Sequence, residues 1–201
     1  MEDLKNLKEQ FYREYSTNIQ RSGADKLLVW LEQADFFEAP ASTRFHMACP
    51  GGLLQHSLHV HDRLRFLCEM ESQRTSGFDM PSSETIAICG LLHDLCKVDF
   101  YKVEYRNKKN EQGEWVKVPY YCVEDNLPYG HGEKSVYIIS GFMKLTREEA
   151  MAIRWHMGGF DDAVKGGSFS LSKAFEQYPL AVLLHIADIE ATYLDESNDL
   201  N

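Results

Sequence analysis

The chain of 201 residues is 44% hydrophobic and 26% charged, which excludes an intrinsically disordered protein and allows one sizeable core. Its formal net charge of −10 argues against a surface that holds long polyanions, although a small phosphorylated substrate escapes that objection. The sequence has no signal peptide, no apolar run of roughly 20 residues and no CxxC pair, so we expect a cytoplasmic protein with reduced thiols and no membrane partner.

The first fifty residues predict two structural helices. Leu4, Leu7, Phe11 and Tyr15 have the three-and-four spacing of an amphipathic helix over residues 3–20. A second helix is expected from about residue 24 to residue 37, followed by a turn-rich segment. We expect residues 1–50 to pack on the rest of the chain as part of a single domain spanning residues 1–201.

A long helix is predicted from Leu53 to about Gln73, and it contains three histidines. His56 and His59 are neighbours on one helix face because they are three residues apart, so this face could supply one metal ligand or two. His59 is interpreted either as a group that supports a ligand or as a packing residue. His61 is predicted to be solvated.

The next predicted helix begins near Ser82 and is apolar from Ile86 to Leu92. It ends in His93-Asp94, with Lys97 three residues beyond. Burying the Asp94 carboxylate would be costly without a positive partner, and a divalent cation bound by the pair would supply one. The alternative is that His93 caps the helix and Asp94 lies in solvent, since the same dipeptide recurs elsewhere in the chain.

Residues 100–106 and 115–122 alternate in polarity with period two around a polar loop that ends in glycine. This pattern predicts a β-hairpin at about residues 100–122, inserted into an otherwise helical domain. The hairpin aromatics could flank a substrate opening. We favour the alternative that the hairpin packs its own apolar face.

Further helices are predicted to begin at His131 and at the capping box of Thr146 and Glu149, the second running to His156. Pro179 suits the first turn of a last helix that continues to about residue 195. Asp188 lies inside its apolar stretch and requires a positive partner. The glycine pairs at 158–159 and 166–167 predict a movable loop over the site.

Three motifs in order resemble those of the HD-domain metal-dependent phosphohydrolases, and the resemblance spans Gly51 to Asp195. They are Gly51–Ser57 with the first histidine, Leu91–Lys97 with the His-Asp pair, and Leu184–Asp188 with the closing aspartate. His131 and His156 match two additional histidines, most closely those of the subgroup containing bacterial 3′-to-5′ exoribonucleases. The chain departs from the family in having Cys96 at a common glycine, and no nucleic-acid-binding β-barrel precedes Gly51.

The resemblance implies an all-α HD-domain helical bundle with an HD core over residues 51–195, and one or two divalent ions (Mn, Fe, Zn, Co, Ni or Mg). It implies that the ion acidifies a water for attack on phosphorus, with Asp94 and Lys97 as catalytic residues. The implied metal ligands are His56, His93, Asp94, Asp188, His131 and His156. The implied substrate-binding residues are Lys97, His131 and His156.

The implied function is hydrolysis of a phosphoester of a small nucleotide-like substrate, either a monoester or a diester. One alternative is a 3′-to-5′ exonuclease acting on short single-stranded nucleic acid, which the acidic net charge disfavours. Another alternative is a non-catalytic metal- or nucleotide-binding sensor domain. The predicted partner is the small phosphorylated substrate, nucleic acid is a disfavoured alternative, and the sequence does not predict an oligomeric state.

Overall fold

The computed structural model describes residues 4–196, so the predicted bounds of 1–201 extend beyond the described residues at both ends. Its α-helices are α1 (Leu4–Asn18), α2 (Ala24–Gln33), α3 (Gly52–Arg74), α4 (Ser83–Leu92), α5 (His131–Ser140), α6 (Arg147–Trp155), α7 (Asp162–Lys165), α8 (Ser170–Gln177) and α9 (Pro179–Glu190). Two strands, β1 (Tyr101–Lys109) and β2 (Trp115–Val123), form an antiparallel pair. The predicted helical bundle with an inserted β-hairpin is confirmed.

The opening helices bury the predicted apolar faces. In α1, Leu7, Phe11 and Tyr15 are buried, and the helix packs against α3 and α4. The second helix ends at Gln33 and not at the predicted residue 37, because Ala34 adopts an extended backbone. The chain then turns and buries two consecutive aromatic residues, Phe36 and Phe37, in the core. Their rings contact each other edge to face, with centroids 5.2 Å apart.

The centre of the fold is the contact between α3 and α4. Every residue of α4 from Ile86 to Leu92 is buried. At the crossing, a Cβ atom placed on Gly90 would lie 2.5 Å from the Cα atom of His61. The prediction that His61 is solvated was wrong, since only 3% of this residue is exposed, and it is buried because α3 passes α4 at this point.

A methyl group at Gly90 is therefore expected to force the two helices apart. We predict that Gly90→Ala lowers the free energy of unfolding by about 3 kcal/mol, because the clash is with backbone that cannot rotate away. Gly159→Ala is the matched control, since a Cβ atom at Gly159 would meet nothing within 4 Å. Chemical denaturation of both variants measures the difference, and equal stability would contradict this packing.

The hairpin has the predicted position but not the predicted packing. Its register pairs Tyr101 with Val123 at the base and Lys109 with Trp115 at the tip. The expectation of a packed apolar face was wrong for the outer half, where Tyr105 and Trp115 are each 68% exposed. The outer halves of both strands are exposed, so no other element within residues 4–196 covers these rings.

The last helices close the bundle. Thr146 and Glu149 form the predicted capping box at the start of α6, and Pro179 occupies the first turn of α9. A single π-helical segment, Ala191–Asp195, follows α9 and brings the chain back toward α3. Within residues 4–196, no helix is both long enough and apolar enough to cross a bilayer.

Candidate metal centre

Five helices bring the predicted site residues into one cluster. His56 lies on α3, the His93-Asp94 pair follows α4, His131 begins α5, His156 follows α6 and Asp188 lies on α9. His56, His93 and His156 are fully buried, and Asp94 is only 2% exposed. The alternative that Asp94 lies in solvent was therefore wrong, because the end of α4 points into the bundle interior.

One half of the cluster surrounds His56. Its Nε2 atom lies 3.2 Å from Asp188 Oδ1, 3.5 Å from Asp94 Oδ2 and 3.3 Å from His93 Nε2. The ligand atoms of His56, His93 and Asp188 lie within 4.8 Å of one another. The three residues from separate motifs are thus close enough to share one ion.

The other half of the cluster surrounds Oδ1, the second carboxylate oxygen of Asp94. Asp94 Oδ1 is 2.8 Å from His131 Nε2 and 3.4 Å from His156 Nε2. The Asp94 carboxylate therefore contacts both halves, with Oδ2 toward His56 and Oδ1 toward His131.

Outer hydrogen bonds orient the imidazole rings so that their Nε2 atoms face inward. His93 Nδ1 donates to the Gly90 carbonyl at 2.9 Å, and His156 Nδ1 donates to the Ile153 carbonyl at 2.6 Å. Each ring then presents a lone pair at Nε2, the tautomer that binds metal. His156 Nε2 is buried without a hydrogen-bond partner among the described residues. An unsatisfied buried nitrogen beside carboxylates fits a cation site.

Glu196 orients His56 in the same way, and sequence reasoning missed it. Its carboxylate lies 3.0 Å from His56 Nδ1 and 2.9 Å from His59 Nδ1. Burial alone would raise the pKa of Glu196, but the hydrogen bonds from the two histidines lower it to about 2. His59 therefore supports a candidate ligand through Glu196, which decides between its two predicted roles.

The electrostatics favour a cation at this point. Burial lowers the pKa of His93 to about 3, so the ring is uncharged at neutral pH and its Nε2 atom carries a lone pair. At His56, burial also lowers the pKa, but hydrogen bonds to Asp188 and Glu196 outweigh it and raise the pKa to about 10. The carboxylates that favour a proton on His56 also favour a metal ion beside it.

Lys97 pairs directly with the central carboxylate. Its Nζ atom lies 2.6 Å from Asp94 Oδ2, and its side chain is nearly buried. Burial works to raise the pKa of Asp94, but the charge of Lys97 and the surrounding histidines hold it well below the ordinary value. Asp94 is therefore ionised at neutral pH.

His46 is a further residue that sequence reasoning did not single out. Its ring centroid lies 5.1 Å from that of His56, and burial together with the charge of His56 lowers its pKa to about 4. His46, His56 and Glu196 form another group whose ligand atoms lie within 4.8 Å. His46 lies in a turn-rich segment outside any motif, so no sequence signal identified it.

The fold is a helical domain whose buried histidines and carboxylates could hold a metal ion. A model of the HD domain matches residues 53–193, which is most of the chain. The chain belongs to the HD domain family, whose members bind divalent metals and are mostly metal-dependent hydrolases acting on phosphate compounds. No curated protein and no solved structure gives a significant match.

Proposed function

We propose that this chain hydrolyses a phosphoester of a small nucleotide-like substrate with the help of bound divalent metal. The observation that supports this most is the ring of inward-facing imidazole nitrogens and carboxylates around the ionised, buried Asp94. One ion would be held by His56, His93, Asp94 and Asp188. A second would be held by Asp94 together with His131 and His156.

Divalent metal in this site supplies Lewis-acid chemistry, acidifying water and neutralising charge on phosphoryl oxygens. Asp94 lies between the two halves of the cluster, so its carboxylate would either bridge two ions or orient the attacking water by accepting a hydrogen bond from it. Lys97 positions Asp94 through their 2.6 Å ion pair and adds positive charge where the phosphoryl group would lie.

A cleft beside His131 is the proposed substrate entrance. It has a volume of about 240 Å³ and is lined in part by Phe160, Asp161 and Lys165. His131 is the most accessible of the candidate ligands, with 30% of its side chain exposed, so it can reach a substrate phosphate. Pockets for drug-sized ligands have volumes of roughly 300–1,000 Å³, and this smaller cleft favours a compact substrate.

A metal-dependence screen tests the proposal. Protein stripped with EDTA and reloaded with Mn²⁺ is assayed for phosphate release from mononucleotides, for cleavage of a nitrophenyl phosphodiester, and for shortening of single-stranded RNA. We expect turnover of a small phosphoester that EDTA abolishes and Mn²⁺ restores. Protein that binds Mn²⁺ but cleaves none of these substrates would contradict the proposal and favour a sensor domain.

A second candidate function is an exonuclease, and one feature of the hairpin favours it. Cross-strand pairing places Tyr105, Lys109, Trp115 and Lys117 on one face of the hairpin. Tyr101 begins the same face and is near Lys97. Exposed aromatic rings interleaved with cations form a surface on which single-stranded nucleic acid stacks. RNA shortening without release of phosphate from mononucleotides would favour this candidate.

A further inference from the structure

Cys96 lies in the candidate metal centre, two residues after Asp94. It belongs to the short 3₁₀ helix Leu95–Lys97 and is 3% exposed. Its Sγ atom lies 3.5 Å from both ring nitrogens of His131 and 3.9 Å from Asp94 Oδ1. The thiol therefore faces the half of the cluster that contains His131.

The position of the thiol is fixed by its backbone. The Cys96 amide donates a hydrogen bond to Ser135 Oγ at 3.0 Å, which ties the 3₁₀ helix to α5. The helix α5 begins with His131. The contact between the 3₁₀ helix and α5 therefore also keeps the Cys96 sulfur near the His131 imidazole. This arrangement orients Cys96 toward His131 and away from solvent.

The sulfur lies at nearly the separation expected of a ligand that shares one ion with His131. Metal bonds of about 2.3 Å to sulfur and about 2.1 Å to nitrogen or oxygen place tetrahedral ligands about 3.4–3.6 Å apart. The observed distances from Sγ are 3.5 Å to the His131 nitrogens and 3.9 Å to Asp94 Oδ1, whereas His131 Nε2 and Asp94 Oδ1 lie 2.8 Å apart in a direct hydrogen bond that a bound ion would replace. Asp94, Cys96 and His131 form a group whose ligand atoms all lie within 4.8 Å.

An independent observation also indicates a ligand at this place. His156 Nε2 is fully buried, has no hydrogen-bond partner among residues 4–196 and lies 3.4 Å from Asp94 Oδ1. A buried nitrogen with a free lone pair next to a carboxylate oxygen is costly unless a cation completes its bonding. The thiol thus lies beside a site with two imidazoles and a carboxylate.

We propose that Cys96 provides a thiolate ligand to the ion on the His131 side of Asp94, so that this subsite prefers thiophilic metals. On binding, the thiol proton passes to solvent and a sulfur lone pair forms the bond to the metal. Thiolate ligands favour Zn²⁺, Cd²⁺ and Co²⁺, whereas Mg²⁺ and Mn²⁺ prefer oxygen ligands. This inference depends on the proposed function in one respect, which is that metal binds at this centre.

The other cysteines do not have this environment. Cys68 and Cys89 are fully buried in the hydrophobic core. Cys49 and Cys122 are half-buried and belong to none of the groups of described residues that could hold a metal ion. Among the described residues, Cys96 is the cysteine that joins a group able to hold a metal. Cys122 on β2 supplies a matched control, because its thiol lies against the Lys102 carbonyl in the hairpin.

Cobalt spectroscopy tests the proposal without reference to activity. We expect metal-stripped protein reloaded with Co²⁺ to show a near-ultraviolet thiolate-to-cobalt charge-transfer band. The band should disappear in Cys96→Ser and persist in Cys122→Ser. The visible ligand-field bands report whether cobalt is bound, and thermal unfolding of the metal-free variants reports whether they fold.

Metal competition provides a second measurement. Cys96→Ser and Cys96→Gly should weaken Cd²⁺ binding by about tenfold or more while Mn²⁺ binding changes little. Cobalt bound by the wild-type protein without a charge-transfer band would overturn the thiolate ligand and leave the proposed function intact. Failure of the folded wild-type protein to bind any of these metals would overturn both.

Discussion

Asp94→Asn is expected to abolish metal binding and to lower phosphoester turnover by at least about a thousandfold. The substitution keeps the shape of the side chain but removes the charge that faces His56 with one oxygen and His131 with the other. It also leaves the nearly buried Lys97 ammonium without its carboxylate partner. Elemental analysis of the purified variant and initial-rate assays with Mn²⁺ measure the two losses.

The chain contains its own control for this substitution. Asp62 follows His61 as Asp94 follows His93, but its side chain is about half exposed and lies near Arg65 on the surface. Asp62→Asn is expected to keep full metal content and turnover. Retention of activity in Asp94→Asn, or an equal loss in Asp62→Asn, would contradict the assignment of Asp94 to the catalytic centre.

Glu149→Gln is expected to lower the free energy of unfolding by about 3 kcal/mol at neutral pH, because it breaks a buried ion pair. The fully buried Glu149 carboxylate lies 2.6 and 2.9 Å from the two terminal nitrogens of Arg21. It also accepts hydrogen bonds from the Thr85 hydroxyl and the Thr146 amide. Urea denaturation measures the change.

The loss of stability in Glu149→Gln should depend on pH, and the pKa of Glu149 determines the direction of the change. Burial raises the pKa of Glu149, but hydrogen bonds from Arg21, Thr146 and Thr85 outweigh it and hold the pKa below the ordinary value of 4.5. A carboxyl group with a depressed folded-state pKa stabilises the fold above its unfolded pKa, and this contribution disappears as the pH falls toward the folded pKa. The difference between wild type and Glu149→Gln should therefore shrink below about pH 4.5.

Glu148→Gln is the matched control, since it removes a charge from the adjacent residue. Burial and the neighbouring Glu149 raise the pKa of Glu148, so its charge opposes folding. Its replacement should leave stability at neutral pH unchanged or slightly higher. A stability difference for Glu149→Gln that stayed constant from neutral pH to pH 3 would contradict the ion-pair argument.

Much of the site was predictable because each motif residue lies at a recognisable helix position. Apolar periodicity placed His56 on a helix face and Asp94 at a helix end, and the buried setting of Asp188 indicated a positive partner. The capping box at Thr146 was predictable from two residues alone. These inferences needed only local structure.

The residues that were missed depend on tertiary contacts. Glu196 reaches His56 across 140 positions of sequence, and only the π-helical turn after α9 brings it there. His61 was misjudged because burial at its position is set by the approach of Gly90 on a different helix. Spacing within one element cannot reveal which neighbour will cover it.

Cys96 stands where the resemblance implies glycine, and the backbone at this position accommodates a side chain. A cysteine can replace glycine where the φ angle need not be positive. Among described residues other than glycine, only Met47 and Asp99 have positive φ angles. Cys96 therefore contributes a sulfur atom to the centre without backbone strain.

The contact between Glu196 and His56 has a practical consequence for anyone who prepares this protein. A preparation trimmed by a protease just before Glu196 would keep every helix yet lose the carboxylate that orients the His56 ring. Such material would be folded by circular dichroism but poor in metal. Intact-mass spectrometry should therefore accompany every measurement of metal stoichiometry.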